Sequence, residues 1–387
     1  MKFIHFGNDW FADNRTSSHH IATRIGSRFP MLYVEVPGLK IPRANTRNLR
    51  KIVQKLRLTF QPPQLVASHF WRMTLPQLPF RRFAFIRAGN RMLSLYLMRR
   101  AIRGLDFKEA IAWFHVPHPG FLAGQLGEKL TVFYCIDDYS KLPDVDEAAV
   151  QGMDDQLTAS ADIVFTSNRT LLDTHRRHNA NVHLSPHGVD FEMFALASSP
   201  ESRIPELANG LRRPVIGCWG VLDSRMDLGL LQYIAVARPG WTILLIGRVA
   251  FDVSAVASLS RHANVVLVGT QPYSDLPGWA KVMDVCILPY AQSEWTESSS
   301  PLKVREYLAA GRPIVATPFP ESQMFQSLLQ IAADGPGFVR AIEEALATDT
   351  PELVALRQHA VRLNTWESVV DNLLEIIEAE LRARCEG

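Results

Sequence analysis

The sequence predicts two doubly wound α/β domains in one chain, each built on its own parallel sheet. Three observations carry that reading. Short apolar runs alternate with amphipathic segments along almost all of the 387 residues, which is the rhythm of β-α-β units. The length suits two domains of ordinary size better than one. The rhythm breaks once, between Ala195 and Pro214, where Ser198, Ser199, Pro200, Pro205, Asn209 and Gly210 read as a connecting segment.

Before the break, strands are predicted over Phe3–Phe6, Met31–Val34, Ile111–Phe114, Val132–Cys135, Ile163–Phe165 and Val182–Leu184. After it they fall over Val215–Cys218, Ile243–Ile246, Val265–Val268, Val285–Leu288 and Pro313–Ala316. The domains are therefore placed at 1–194 and 195–365. A C-terminal helix follows over 366–387, in which Val369, Val370, Leu373, Leu374 and Ile377 keep helical spacing, and it is expected to pack across the domain junction. Two such sheets face a central cleft, where ligands bind beyond the strand carboxyl ends, so the chemistry is sought on loops that follow strands.

Composition narrows the function classes. Apolar residues make up 47% and charged residues 21%, which excludes a disordered chain. No run of about 18 apolar residues is present to span a membrane, and the N-terminus does not read as a secretory signal. Cys135, Cys218, Cys286 and Cys385 show no C-x-x-C spacing, so neither a metal frame nor a disulfide set is expected and the cytoplasm is the expected setting. The net charge of +2 hides an asymmetry. Residues 1–195 hold 25 basic against 17 acidic side chains, and the remainder 16 against 22. Between Lys40 and Arg103 there are fifteen basic residues and no acidic one. Arg47, Arg50, Lys51, Lys55 and Arg57, alternating with Leu49, Ile52, Val53 and Leu56, read as a basic amphipathic helix on an anionic membrane surface, or as a solvated helix face. Met92 to Ile102 reads as a core helix. No nucleic-acid-binding module accompanies the charge, so nucleic acid is not an expected partner.

The most informative segment follows the strand Val285–Leu288. A loop is predicted from Tyr290 to Ser299 and a helix from about Ser300-Pro301, with the serine hydroxyl as cap and the proline in the first turn. Val304, Tyr307 and Leu308 form its apolar stripe, and Gly311 ends it before Pro313. Such a helix start offers unpaired amides to an anion. Lys303 adds a charge there, and Glu306 shares its face at i+3. This is a diphosphate clamp beside a carboxylate able to accept two ribose hydroxyl protons.

The run from Ser300 to Pro318, SPLKVREYLAAGRPIVATP, resembles the donor-site signature of bacterial GT-B glycosyltransferases, chiefly the family 4 (group 1) transferases of exopolysaccharide and envelope glycan assembly. His187-Gly188-Val189-Asp190, Asp137-Asp138 and Ala161-Asp162-Ile163-Val164-Phe165 are similar to further segments of that family. The resemblance implies a nucleotide-sugar donor on the second domain, an acceptor on the first, and no metal or other cofactor. It would place the diphosphate at Ser300, Leu302 and Lys303 and the ribose at Glu306. The family's first glutamate falls on Ser298 here, beside Glu297, so these two are the sugar-contact candidates and the stereochemical outcome stays open. Uridine is the expected base because such donors are common. The acceptor is expected to be lipid-linked or a membrane-associated glycan.

Arg225 and Arg248, on the first loops of the second domain, are candidates for the phosphates because a guanidinium fork binds two oxygens at once. In the first domain, Asp137 and Asp138 are the candidate catalytic carboxylates, since a cleft carboxylate can serve as general base toward an acceptor hydroxyl; capping of the next segment is the alternative. Gly7, His19 and His118 are the remaining cleft candidates. The alternatives for function are a sugar-nucleotide 2-epimerase and a non-catalytic nucleotide-sugar-binding protein.

Overall fold

The computed structural model describes residues 1–12, 15–36, 38–39, 60–76, 84–200, 202–251 and 253–386. The chain divides into two compact units, one of Met1–Pro186 with Val370–Gly387 and the other of His187–Val369.

The first unit holds an eight-stranded sheet in the order β3-β4-β2-β1-β5-β6-β7-β8. Its strands are β1 (Phe3–Gly7), β2 (Met31–Glu35), β3 (Gln64–Ala67), β4 (Phe70–Thr74), β5 (Ile111–Phe114), β6 (Leu130–Cys135), β7 (Ile163–Thr166) and β8 (Val182–Leu184), with helices α1 (Ser17–Arg28), α2 (Ala84–Leu105), α3 (Glu147–Ser160) and α4 (Arg169–His175). All neighbours run parallel except β3 against β4. Strands β1, β2, β5, β6 and β7 are buried at every position, which is why they read as unbroken apolar runs. Their core includes Phe6, Val34, Phe114, Phe133 and Val164, packed with Met98 and Ile102 of α2.

Strands β3 and β4 were not expected from the sequence, because they lie inside the basic stretch. Arg72 of β4 explains the omission. Its guanidinium donates to Glu35 at the end of β2, from Nε to Oε1 at 2.6 Å and from Nη2 to Oε2 at 2.9 Å. The Thr74 hydroxyl (2.6 Å) and the Trp10 amide (2.9 Å) donate to the same carboxylate. This arginine is a buried structural partner, and its charge masks a strand. The helix expected over residues 47–57 lies outside the described residues. The helix expected from Met92 to Ile102 is part of α2, but only one side of it is core: Ser94, Met98 and Ile102 are buried, and Met92 and Tyr96 are exposed.

The second unit holds a six-stranded, wholly parallel sheet in the order β11-β10-β9-β12-β13-β14. Its strands are β9 (Val215–Trp219), β10 (Thr242–Ile246), β11 (Val265–Gly269), β12 (Val285–Leu288), β13 (Ile314–Ala316) and β14 (Gln330–Ile331). The helices are α5 (Phe191–Ala195), α6 (Leu228–Ala237), α7 (Val253–Ser260), α8 (Leu276–Val282), α9 (Glu294–Ser298), α10 (Leu302–Ala309), α11 (Pro320–Met324), α12 (Gly335–Thr348) and α13 (Pro351–Val361). The units divide after Pro186, not at 194/195. Val189 bridges to Thr365, and Phe194 stacks on Trp219 at 5.9 Å, which ties residues 187–195 to the second unit. The expected connecting segment is likewise internal to it, with Lys281 Nζ donating to the carbonyls of Ser199, Pro200 and Ser202 at 2.8–3.0 Å.

The C-terminal helix, α14 (Trp366–Glu386), belongs to the first unit from Val370 onward. There Asp371 pairs with Arg28 and Arg384 pairs with Asp162.

Candidate functional site

In a parallel sheet the loops leaving the strand carboxyl ends share one edge. In the second unit that edge gathers the ends of β9 and β10, the Pro289–Tyr290 turn after β12, and the start of α10.

Helix α10 begins at Leu302 with Pro301 as its N-cap, and no side chain caps it. The first amides of a helix have no carbonyl to reach, so those of Leu302 and Lys303 face outward at the positive end of the helix. The expected serine cap is replaced by a different contact. The Ser300 hydroxyl donates to Glu321 Oε2 at 2.8 Å, and Arg305 of α10 pairs with Glu321 Oε1. Both members of that ion pair are buried. The neutral His187 ring bonds the Ser300 backbone; its pKa is lowered to about 3 by burial and by nearby Arg305. The loop before α10 is therefore held from two sides by groups of its own unit.

Lys303 and Glu306 then project one turn apart. Gly220, at φ +115°, lies directly under Lys303, where a Cβ would overlap Lys303 Cε and Nζ. Gly247, at φ +136°, meets the Gly220 carbonyl, and a Cβ there would overlap that oxygen. These glycines let the β9 and β10 loops touch and leave room for the lysine, which lies 5.6 Å from the Tyr290 ring centroid. Glu306 is buried and accepts a hydrogen bond from Trp219 Nε1 at 2.7 Å. Burial pushes its carboxyl up to about 7, while the bond from Trp219, the Lys303 charge and the Tyr273 hydroxyl pull the other way. The site can therefore present an ammonium, two free amides and a carboxyl that gains or loses its proton near neutrality.

The other expected donor-side residues do not all join this group. Arg225 is committed to Asp223, with Nε to Oδ1 at 2.9 Å and Nη2 to Oδ2 at 2.8 Å, and it stacks 4.5 Å from the Trp295 ring centroid. Arg248 is exposed on the loop after β10. Glu297 and Ser298 lie in α9, a helix where the sequence predicts loop; its start is closed by a capping box between Ser293 and Thr296. Glu297 is exposed, and the Ser298 hydroxyl donates to the carbonyls of Glu294 and Trp295 at 3.3 and 3.1 Å.

In the first unit most candidates serve the fold. Gly7 ends β1 where a Cβ would overlap the hydroxyls of Ser18 and Tyr33. His19 is buried within its own unit: its Nδ1 accepts from the Thr16 amide at 3.1 Å and its Nε2 donates to the Asp9 carbonyl at 2.9 Å. Burial holds its pKa below the ordinary value. Asp138 caps the following turn by accepting from the Ser140 amide (3.1 Å) and hydroxyl (2.6 Å). Asp137 and His118 are half-buried on the loops after β6 and β5.

Sequence reasoning did not assign Trp219 and Tyr273 to the site. Trp219 follows directly on the predicted strand Val215–Cys218, but an indole's direction is set by tertiary packing. The Gly220 and Gly247 positions are legible as glycines after strands.

Residues 213–348 match the family described as "Glycosyl transferases group 1". The second unit contains a group 1 glycosyltransferase domain. The matched residues include Trp219, Gly220, Gly247, Tyr273, Lys303 and Glu306, and they run from just before β9 to the end of α12. A Bacillus subtilis (strain 168) protein named as the teichuronic acid biosynthesis glycosyltransferase TuaH is 28% identical over 229 residues, which are 57% of this chain. The chain covers 56% of that relative's length. Among solved structures, sucrose-phosphate synthase from Thermosynechococcus elongatus gives a TM-score of 0.71 at 14% identity, covering 99% of each chain. Trehalose 6-phosphate synthase from Burkholderia multivorans gives 0.69 at 13%, again covering 99% of each. An E. coli structure described as trehalose-6-phosphate bound with UDP-2-fluoro glucose gives 0.68 at 12%, covering 97% of this chain and 98% of that one. The fold is thus the GT-B arrangement of two Rossmann-like domains that the sequence predicts.

Proposed function

We propose that this chain is a glycosyltransferase that takes a sugar from a nucleoside diphosphate, UDP first among them, and gives it to a lipid-linked or membrane-associated glycan acceptor. The observation that carries the proposal is the placement of Lys303 and Glu306 one turn apart at the uncapped start of α10, over the paired glycines 220 and 247. In this reading the α10 amides and Lys303 hold the diphosphate, and the ionised Glu306 accepts the ribose hydroxyls. The exposed Arg248 supplies a second cation, and Arg225 orders the neighbouring loop through Asp223. These cations serve the diphosphate, so that contact calls for no metal or other cofactor. UDP is favoured because a structure of the same fold binds a UDP sugar. Glycan assembly is favoured by the named role of the Bacillus relative.

On the acceptor side, Asp137 is the carboxylate for the acceptor hydroxyl, because Asp138 is spent on its turn. A membrane-surface role is supported by α2. Met92 and Tyr96 are 74% and 58% exposed beside a groove of about 530 Å³ that Arg99, Arg103 and Lys108 also line. Apolar groups between cations suit an anionic lipid surface. Among the described residues no helix is long and apolar enough to cross a membrane. Peripheral attachment on the cytoplasmic face follows in this reading.

A thermal-shift series with UDP, GDP, ADP and dTDP tests the donor reading; UDP is expected to raise Tm most, and no shift with any nucleotide contradicts it. Transfer from UDP sugars to membrane extracts is expected to vanish in Lys303→Ala and Glu306→Ala proteins that still fold. An epimer formed from the donor alone would favour epimerase chemistry, and tight binding without turnover would favour a sensor.

A further inference from the structure

Three side chains that neither donor nor acceptor chemistry uses meet inside the first unit. Cys135 is the last residue of β6, Asp154 comes from α3, and His175 is the last residue of α4. Their ligand atoms, a thiol sulfur, a carboxylate oxygen and an imidazole nitrogen, all lie within 4.8 Å of one another. Cys135 and His175 are 1% and 3% exposed, and the Asp154 side chain 13%, which leaves an approach from the α3 side.

The histidine is already oriented. Its Nδ1 donates to the Leu171 carbonyl at 2.7 Å, so Nε2 is the ring nitrogen that faces the other two groups. Nε2 lies 2.9 Å from Asp154 Oδ2, yet it is out of line for a hydrogen bond and buried without a hydrogen-bond partner. The Cys135 thiol donates to the Asp137 carbonyl at 3.3 Å and lies 4.0 Å from Asp154 Oδ1. A simple structural ion pair would aim the ring N–H along the carboxylate and would not need the thiol. A thiol, a carboxylate and an imidazole from three separate elements, with ligand atoms within 4.8 Å of one another in a buried space, are arranged as ligands around a shared centre.

We propose that Cys135, Asp154 and His175 bind one divalent transition-metal ion, with zinc the best match. A sulfur, nitrogen and oxygen set at these separations suits tetrahedral zinc, with water in the fourth position. The Leu171 carbonyl provides the outer contact that metal-bound histidines commonly have. Coordination takes the thiolate and the neutral imidazole, so binding releases the Cys135 proton and the proton on His175 Nε2 to solvent. The ion joins the end of β6 to α3 and α4 immediately before Asp137 and Asp138, and so positions the loop that follows. No sequence motif shows the site, because its ligands come from three separate elements.

The 387-residue chain, reduced and stripped with a chelator, tests the proposal by titration with Co2+ and then Zn2+. One equivalent of Co2+ is expected to give a thiolate-to-cobalt charge-transfer band that Zn2+ abolishes, and Zn2+ is expected to raise Tm. Cys135→Ser is expected to remove the band, and Cys385→Ser, at the exposed cysteine, to keep it. Should Cys135→Ser fail to fold, Asp154→Asn is expected to weaken Co2+ binding by roughly tenfold or more with unchanged circular dichroism. Absence of the band in the wild-type protein, its survival in Cys135→Ser, or undiminished affinity in Asp154→Asn overturns the proposal and leaves a buried ion pair only.

Discussion

The strand carboxyl ends of the two units carry similar residue types and use them differently. At the first, Gly7 makes room for two hydroxyls of its own unit, His19 spends both ring nitrogens on backbone groups, and Asp138 caps a turn. At the second, Gly220 and Gly247 make room for a lysine, and the first amides of α10 have no capping side chain. Residue type at a strand end therefore marks where a ligand can bind. Whether the polar groups are already satisfied decides which end is equipped to bind one.

The comparison can be broken most forcefully at the buried pairs that support each end. Glu321→Ala strands Arg305 and frees Ser300, and is expected to cost about 3–5 kcal/mol in urea unfolding while also weakening nucleotide binding. Glu35→Ala, which strands Arg72, is expected to destabilise comparably with nucleotide affinity unchanged. Equal effects of both on affinity would erase the distinction.

The glycines come next. Gly220→Ala places a methyl on Lys303 at a backbone angle that side chains rarely adopt, and is expected to weaken UDP binding more than tenfold by calorimetry. Gly7→Ala is expected to lower Tm and leave UDP affinity within twofold, about 0.4 kcal/mol.

A smaller effect has a defined sign with pH. The Glu306 carboxyl is raised to about 7 in the folded protein. Its contribution to stability is present below the ordinary carboxylate range and is lost as pH rises through about 7. Donor binding runs the other way, because only the ionised carboxyl accepts both ribose hydroxyls. The affinity for a UDP sugar is expected to rise between pH 6 and 8, and Glu306→Gln to flatten that profile. A profile unchanged by Glu306→Gln removes the carboxyl from the ribose contact. Smallest is Asp138→Ala, expected to cost about 1 kcal/mol of stability as a lost cap and to leave transfer nearly intact.

Eleven strands were legible in the sequence as short apolar runs, nine of them buried at every position, and Gly311, at φ +69°, ends α10 where its glycine signals. Strand β4 was hidden because Arg72 is buried against a partner 37 residues away, which no local pattern reports, and β3 because all four of its residues are exposed. Helix α9 was hidden by length: its five residues are too few for a periodic stripe and rest on a capping box. Lys303 and Glu306 were legible from their spacing on a helix start. The Ser300 contact was not, because Glu321 competes for its hydroxyl from a later helix.

Calorimetric titration of UDP into wild-type and Lys303→Ala protein reads directly whether Lys303 and the α10 amides hold a diphosphate. A single site is expected, with an affinity that falls roughly ten- to a hundredfold in the variant, the worth of one charge-assisted contact, and with Tm unchanged in the absence of nucleotide. Equal affinity in the two proteins would contradict it.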